Sequence, residues 1–141
     1  MKDLSIVYPV FVQVLLTFLL QMWMGRERLA AVRAKTVRRG EHEGAKPVWP
    51  ERAAVVSNSF HNQLEMPMLF YAVVAFALIA GAADWIMLAL AWAFAISRLV
   101  HAAIYTTYNK IEHRFLVYLF GSTVVWFMWG LLSLRVMTGG A

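Results

Sequence analysis

The chain has no cysteine. Disulfides, thiolate catalysis and cysteine-held metal or redox centres are excluded, so any thiol chemistry must be brought by a ligand. Charge is also scarce: Asp, Glu, Lys and Arg make up 15% of the 141 residues, and only 8 of them are acidic against 13 basic. There is no internal repeat and no low-complexity tract, which leaves the helices to carry function. What is abundant is apolar surface. The hydrophobic share is 61% and the mean hydropathy +0.60, against about 45–50% apolar residues in a soluble domain. The sequence predicts a single integral membrane domain over 1–141. The net charge of +5 does not point to nucleic acid, because the basic residues cluster beside hydrophobic segments, where membrane topology accounts for them.

Four apolar segments stand out, Leu4–Met24, Met66–Ala80, Trp85–Tyr105 and Phe115–Met137. Each is close to the ~20 residues that cross a bilayer core once the second is extended back toward His61. The expected fold is an all-α four-helix transmembrane bundle, with helices roughly at 4–24, 53–80, 85–108 and 114–137 and a basic loop at 25–52. The first segment reads as a retained anchor, since its apolar run exceeds the ~7–15 residues of a signal-peptide core and no small-residue cleavage site follows. Arg26, Arg28, Arg33, Lys35, Arg38, Arg39, Lys46 and Arg52 crowd the first loop, which marks it as cytoplasmic and puts both termini on the opposite side. The expected location is a bacterial inner membrane, crossed several times.

Polar residues inside such segments are costly unless they are paired or face water, so they mark a candidate site. Arg98, His101 and Tyr105 fall at i, i+3 and i+7, and Asn58, Asn62 and Glu65 at i, i+4 and i+7. At ~1.5 Å of rise per residue, Arg98 and His101 lie ~20–24 Å inward from the outer turn, Glu65 ~24 Å and Tyr118 ~25 Å. The helices thus offer polar faces at one depth, in the inner leaflet. Arginine forks at 98 and 114 suit carboxylates, Glu65 suits an ammonium, and Asn62, His101 and the tyrosines suit amide or hydroxyl groups. A small zwitterionic, net-anionic molecule fits that set, with a hydrophobic reactant arriving sideways from lipid.

Blander readings compete with this one. Arg114 can snorkel to the interface. Glu65 with Arg98 can form a structural ion pair between helices, and His101 can bridge helices by a hydrogen bond. Trp23, Trp49, Trp85, Trp126 and Trp129 read as interfacial or packing residues. A metal site of His61, Glu65 and His101 is a further reading, but Arg98 would oppose a divalent cation, and no metal is expected. Convergence of three helices at one depth favours a ligand site.

The segment Asn62-Gln-Leu-Glu65-Met-Pro67-Met-Leu-Phe70, then Arg98-Leu-Val-His101-Ala-Ala-Ile-Tyr105 and Arg114, resembles the MAPEG family, the membrane-associated proteins of eicosanoid and glutathione metabolism. The phrase Tyr108-Asn-Lys-Ile-Glu-His-Arg-Phe115 looks like a bacterial branch of it. The resemblance implies a homotrimer with glutathione held between protomers near the cytoplasmic face. It implies glutathione contacts from Arg33, Asn62, Glu65, Arg98, His101 and Tyr105, and catalytic roles for Arg114, which stabilises the thiolate, and Tyr118. The alanines at 89, 91, 93 and 95 permit close helix approach without specifying a trimer. Three positions depart from the glutathione enzymes: Asn58 and His61 stand where those carry arginine, and Phe115 where they carry serine. The expected function is a glutathione transferase-like membrane enzyme that conjugates or reduces a lipophilic electrophile or peroxide. The alternative is a non-catalytic binder of a membrane lipid or protein, as in the family's five-lipoxygenase-activating branch.

Overall fold

A computed structural model describes residues 4–38, 40 and 46–139. Five helices occur in it: α1 (Val7–Arg33), α2 (Glu51–His61), α3 (Met66–Ala80), α4 (Trp85–Thr106) and α5 (Ile111–Thr138). With α2 and α3 taken as one interrupted span, four segments are long and apolar enough to cross a membrane. α4 packs chiefly on α5 and α1 on α2, while α3 lies against α5.

Two boundaries differ from the sequence reading. The first helix does not end near residue 24 but continues through the basic stretch to Arg33. Arg26-Glu-Arg-Leu-Ala-Ala-Val-Arg33 is made largely of good helix formers, and Gly25 alone costs too little to stop it. The expected 53–80 helix is instead two, separated at Asn62–Glu65. Pro67 sits in the first turn of α3, where it has no N–H to give Gln63 and disfavours helical backbone at the residue before it. The chain tightens ahead of it: Gln63 N donates to Phe60 O at 2.9 Å and Leu64 N to His61 O at 2.9 Å. These i→i+3 bonds end α2.

The apolar core lies among α3, α4 and α5, with Phe70, Val73, Met87, Phe94, Val125 and Met128 fully buried. The Phe70 and Phe94 rings stack at 4.5 Å between centroids. α5 meets α4 tightly at Gly121, where a Cβ would lie 2.6 Å from Ser97 Oγ. Small residues at such a crossing let helix backbones pack without side chains between them. At the turn between α3 and α4, Asp84 caps α4 by accepting from Met87 N at 3.0 Å and pairs with Arg135 at 2.6 Å. The Arg135 hydrogen bond holds the Asp84 carboxyl below its usual range. Large apolar side chains such as Phe11, Phe18, Ile79, Trp126 and Phe127 point outward, as a lipid-facing surface requires.

Near the other end of the bundle, side chains tie the basic stretch down. Arg28 donates to Ser57 Oγ at 2.6 Å and stacks over Trp49 at 4.9 Å. Arg52 donates to Thr106 O at 2.7 Å and covers the Trp23 ring at 4.7 Å. Trp23 and Trp49 are therefore platforms for arginine stacking. Arg38 and Val48 exchange two backbone hydrogen bonds, at 3.0 and 3.1 Å. Arg39 lies outside the described residues.

Candidate functional site

A cavity of about 240 Å³ is lined by Asn62, Glu65, His101, Tyr105, Ile111, Arg114, Phe115 and Tyr118. The break between α2 and α3, the second half of α4 and the first turns of α5 supply its walls. Six of the eight residues singled out from the sequence line it; Arg98 and Arg33 do not. Arg33 is exposed at the last position of α1.

The turn between α4 and α5 aims Arg114. Asn109 adopts φ 51°, a left-handed conformation that asparagine tolerates better than most residues. Its side-chain oxygen accepts from Arg114 Nη1 at 2.5 Å. The guanidinium then lies 3.9 Å from the centre of the Tyr105 ring, a cation–π arrangement. Arg114 Nε is buried without a partner. His101 sits between two aromatic rings, 5.9 Å from Tyr105 and 6.2 Å from Tyr118, and its Nδ1 is likewise buried and unpartnered. Buried polar atoms are nearly always hydrogen-bonded, and these two orphans belong to side chains that line the cavity.

Arg98 stands behind this wall. It is 1% exposed and donates through Nη2 to the backbone oxygen of Asn62 at 2.7 Å. In a continuous helix that oxygen would accept from the N–H four residues on, so the arginine replaces a backbone donor removed by the break. The Glu65–Arg98 ion pair weighed from the sequence is not formed, because the break turns Glu65 to the cavity as the exposed residue preceding α3. The metal triad is not assembled either. His61 donates through Nδ1 to Ser57 O at 2.6 Å, and among the described residues no three His, Cys, Asp or Glu side chains could share an ion. Asn58 and His61 do not line the cavity, whereas Phe115 does. Ile111 was not anticipated; only the α4–α5 turn geometry brings it in.

Beside this polar cavity an apolar groove of about 820 Å³ runs along α5, lined among others by Met66, Leu119, Trp126, Phe127 and Leu134. Tyr118 belongs to both.

A multi-pass integral membrane protein thus carries a polar cavity between helices that opens beside an apolar groove. The MAPEG family profile matches residues 6–134, nearly the whole chain, and the chain belongs to that family. It is accordingly a membrane protein of the glutathione-related and eicosanoid-metabolism class, whose members use glutathione. Neither the search of curated proteins nor that of solved structures returned a match.

Proposed function

We propose that the protein is a glutathione-dependent membrane enzyme acting on a lipophilic electrophile or peroxide. The observation that carries this reading is the cavity itself, which gathers a guanidinium, a carboxylate, an amide, an imidazole and two phenols. Glutathione offers two carboxylates, an ammonium, two amides and a thiol, and each finds a complement there. At about 240 Å³ the cavity of one protomer falls below the ~300–1,000 Å³ typical of ligand sites. The rest of the wall comes from a neighbouring copy, and the assembly is a homotrimer. Arg33, exposed and absent from the cavity lining of its own protomer, is free to serve the site of a neighbour. The first loop faces the cytoplasm, as its basic residues require.

In this reading Glu65 holds the ammonium and Asn62, His101 and Tyr105 fix the amides and carboxylates. Arg114 lowers the pKa of the thiol by nearby positive charge, and the proton leaves to water. The thiolate then bonds to the electrophilic carbon as the leaving group departs with its electron pair. With a peroxide, it attacks oxygen and breaks the O–O bond, releasing an alcohol, and a second glutathione completes the disulfide and releases water. Tyr118, shared by cavity and groove, donates a hydrogen bond to the sulfur or the developing oxyanion. The lipophilic reactant lies in the α5 groove.

Arg114→Ala tests this. The variant should stay folded and bind glutathione, yet lose the ultraviolet thiolate absorbance of the complex and its turnover of lipophilic electrophiles. Undiminished thiolate formation would sink the assignment. One observation favours a non-catalytic lipid or protein binder instead: Phe115, an apolar ring on the cavity wall, stands where the glutathione enzymes carry a hydroxyl. That reading predicts no thiol-dependent turnover in the wild type.

A further inference from the structure

The break at Asn62–Glu65 interrupts a membrane span, where backbone groups deprived of helical partners have no water to turn to. At two carbonyls, Ser59 O and Asn62 O, the chain answers this with side chains. Asn58 O, Phe60 O and His61 O still accept from the backbone N–H groups of Asn62, Gln63 and Leu64. Gln63 N has moved to Phe60 O, which leaves Ser59 O without its usual donor. The side-chain Nε2 of Gln63 takes that place, at 3.2 Å. A carbonyl can only accept, so this bond fixes which end of the Gln63 amide faces which way. Its Oε1 then faces α1, where Gln13 Nε2 donates to it at 2.9 Å. Both glutamines are buried, at 0% and 1% exposure. On the opposite side, Arg98 secures Asn62 O from α4.

We propose that Gln13 and Gln63 are a positioning pair for the cavity. Gln63 replaces the helical donor lost at the break, and Gln13 locks Gln63 to α1. With Arg98 on the α4 side, the four-residue break is braced across the bundle, so that Asn62 and Glu65 are held at the cavity wall. Neither glutamine lines the site cavity, and the pair acts through the backbone between them. This inference rests on the glutathione reading for its functional consequence, but its structural half stands apart.

The test is the paired variant Gln13→Leu with Gln63→Leu, which removes both partners together and so leaves neither amide orphaned. It is read in detergent-purified full-length protein by melting temperature, hydrogen–deuterium exchange over residues 60–68, and glutathione titration. The expected result is a modestly lower melting temperature, since Ser59 O loses its donor, faster exchange confined to the break, and glutathione affinity weaker by about tenfold or more, as misplacement of binding groups produces. Val125→Ala in the apolar core is the control, lowering the melting temperature while leaving break exchange and affinity unchanged. If the paired variant does not fold, Gln13→Met, which keeps the Gln63–Ser59 bond, carries the same measurements. Unchanged affinity in a folded variant overturns the proposal, whether or not the break loosens. If the wild type itself binds no glutathione, the functional reading above fails, and the brace is judged on exchange alone: unchanged exchange over 60–68 overturns it.

Discussion

Gly121 packs against α4 on the same helix pair that carries His101 and Tyr105 on one side and Arg114 and Tyr118 on the other, and this contact should respond to a single methyl group. A Cβ on residue 121 would lie 2.6 Å from Ser97 Oγ, while the next neighbours, Phe94 Cδ2 and Ser97 Cβ, are at an ordinary 3.7 Å. The whole obstacle is one hydroxyl, itself bonded to Phe94 O at 2.7 Å. Gly121→Ala therefore forces either helix separation or loss of that bond, an overpacking cost of about 1–3 kcal/mol. Against it stands the about 0.5–1 kcal/mol by which alanine favours a helix over glycine. The expected net loss is about 0–2.5 kcal/mol. In a Ser97→Ala background the obstacle is gone, and the same substitution should stabilise by up to about 1 kcal/mol. Equilibrium unfolding of the four proteins in mixed detergent closes the double-mutant cycle, with an expected coupling equal to the overpacking cost, about 1–3 kcal/mol. Equal tolerance of Gly121→Ala in both backgrounds would refute the close approach.

Asp84 performs two tasks that substitution separates: Asp84→Asn keeps the cap on Met87 N and loses the Arg135 ion pair, whereas Asp84→Ala loses both. In thermal melts the asparagine variant should lose no more than about 1 kcal/mol, as exposed pairs contribute, and the alanine variant about 1 kcal/mol beyond that for the cap. Because the folded carboxyl titrates below its usual range, its contribution is fully present above the unfolded carboxylate pKa and fades as pH falls through the lower, folded value. Melts of the asparagine variant and wild type should therefore converge in strong acid, and a gap that widens there would contradict the assignment. Phe115→Ser places a hydroxyl on the cavity wall and should tighten glutathione binding in calorimetric titration; weaker binding would show that the ring packs against the ligand.

Much of the architecture was legible in hydropathy, because a membrane demands long apolar helices and confines charge to their ends. The common depth of Glu65, Arg98, His101 and Tyr118 followed from helical rise alone, and all of these but Arg98 line one cavity. The break did not follow. Pro67 lies in an otherwise uninterrupted apolar run, and a proline in a first helical turn looks like one inside a helix until the turn before it is known to end. The role of Arg98 was hidden for the same reason, since its acceptor is a backbone oxygen that exists only because the helix stops. Gln13 carries a signal of its own in the sequence: a lone amide in the middle of an apolar span needs a partner from another helix. The length of α1 was masked by charge, because basic residues that read as a loop are also good helix formers.

Glutathione is expected to occupy the cavity between α4, α5 and the break. Titration calorimetry of glutathione into detergent-purified protein, with folded Glu65→Ala measured alongside, tests this most directly. Saturable binding that disappears in the variant is the predicted result. No binding to the wild type at millimolar glutathione would contradict it and leave the lipid or protein binder as the better description of the molecule.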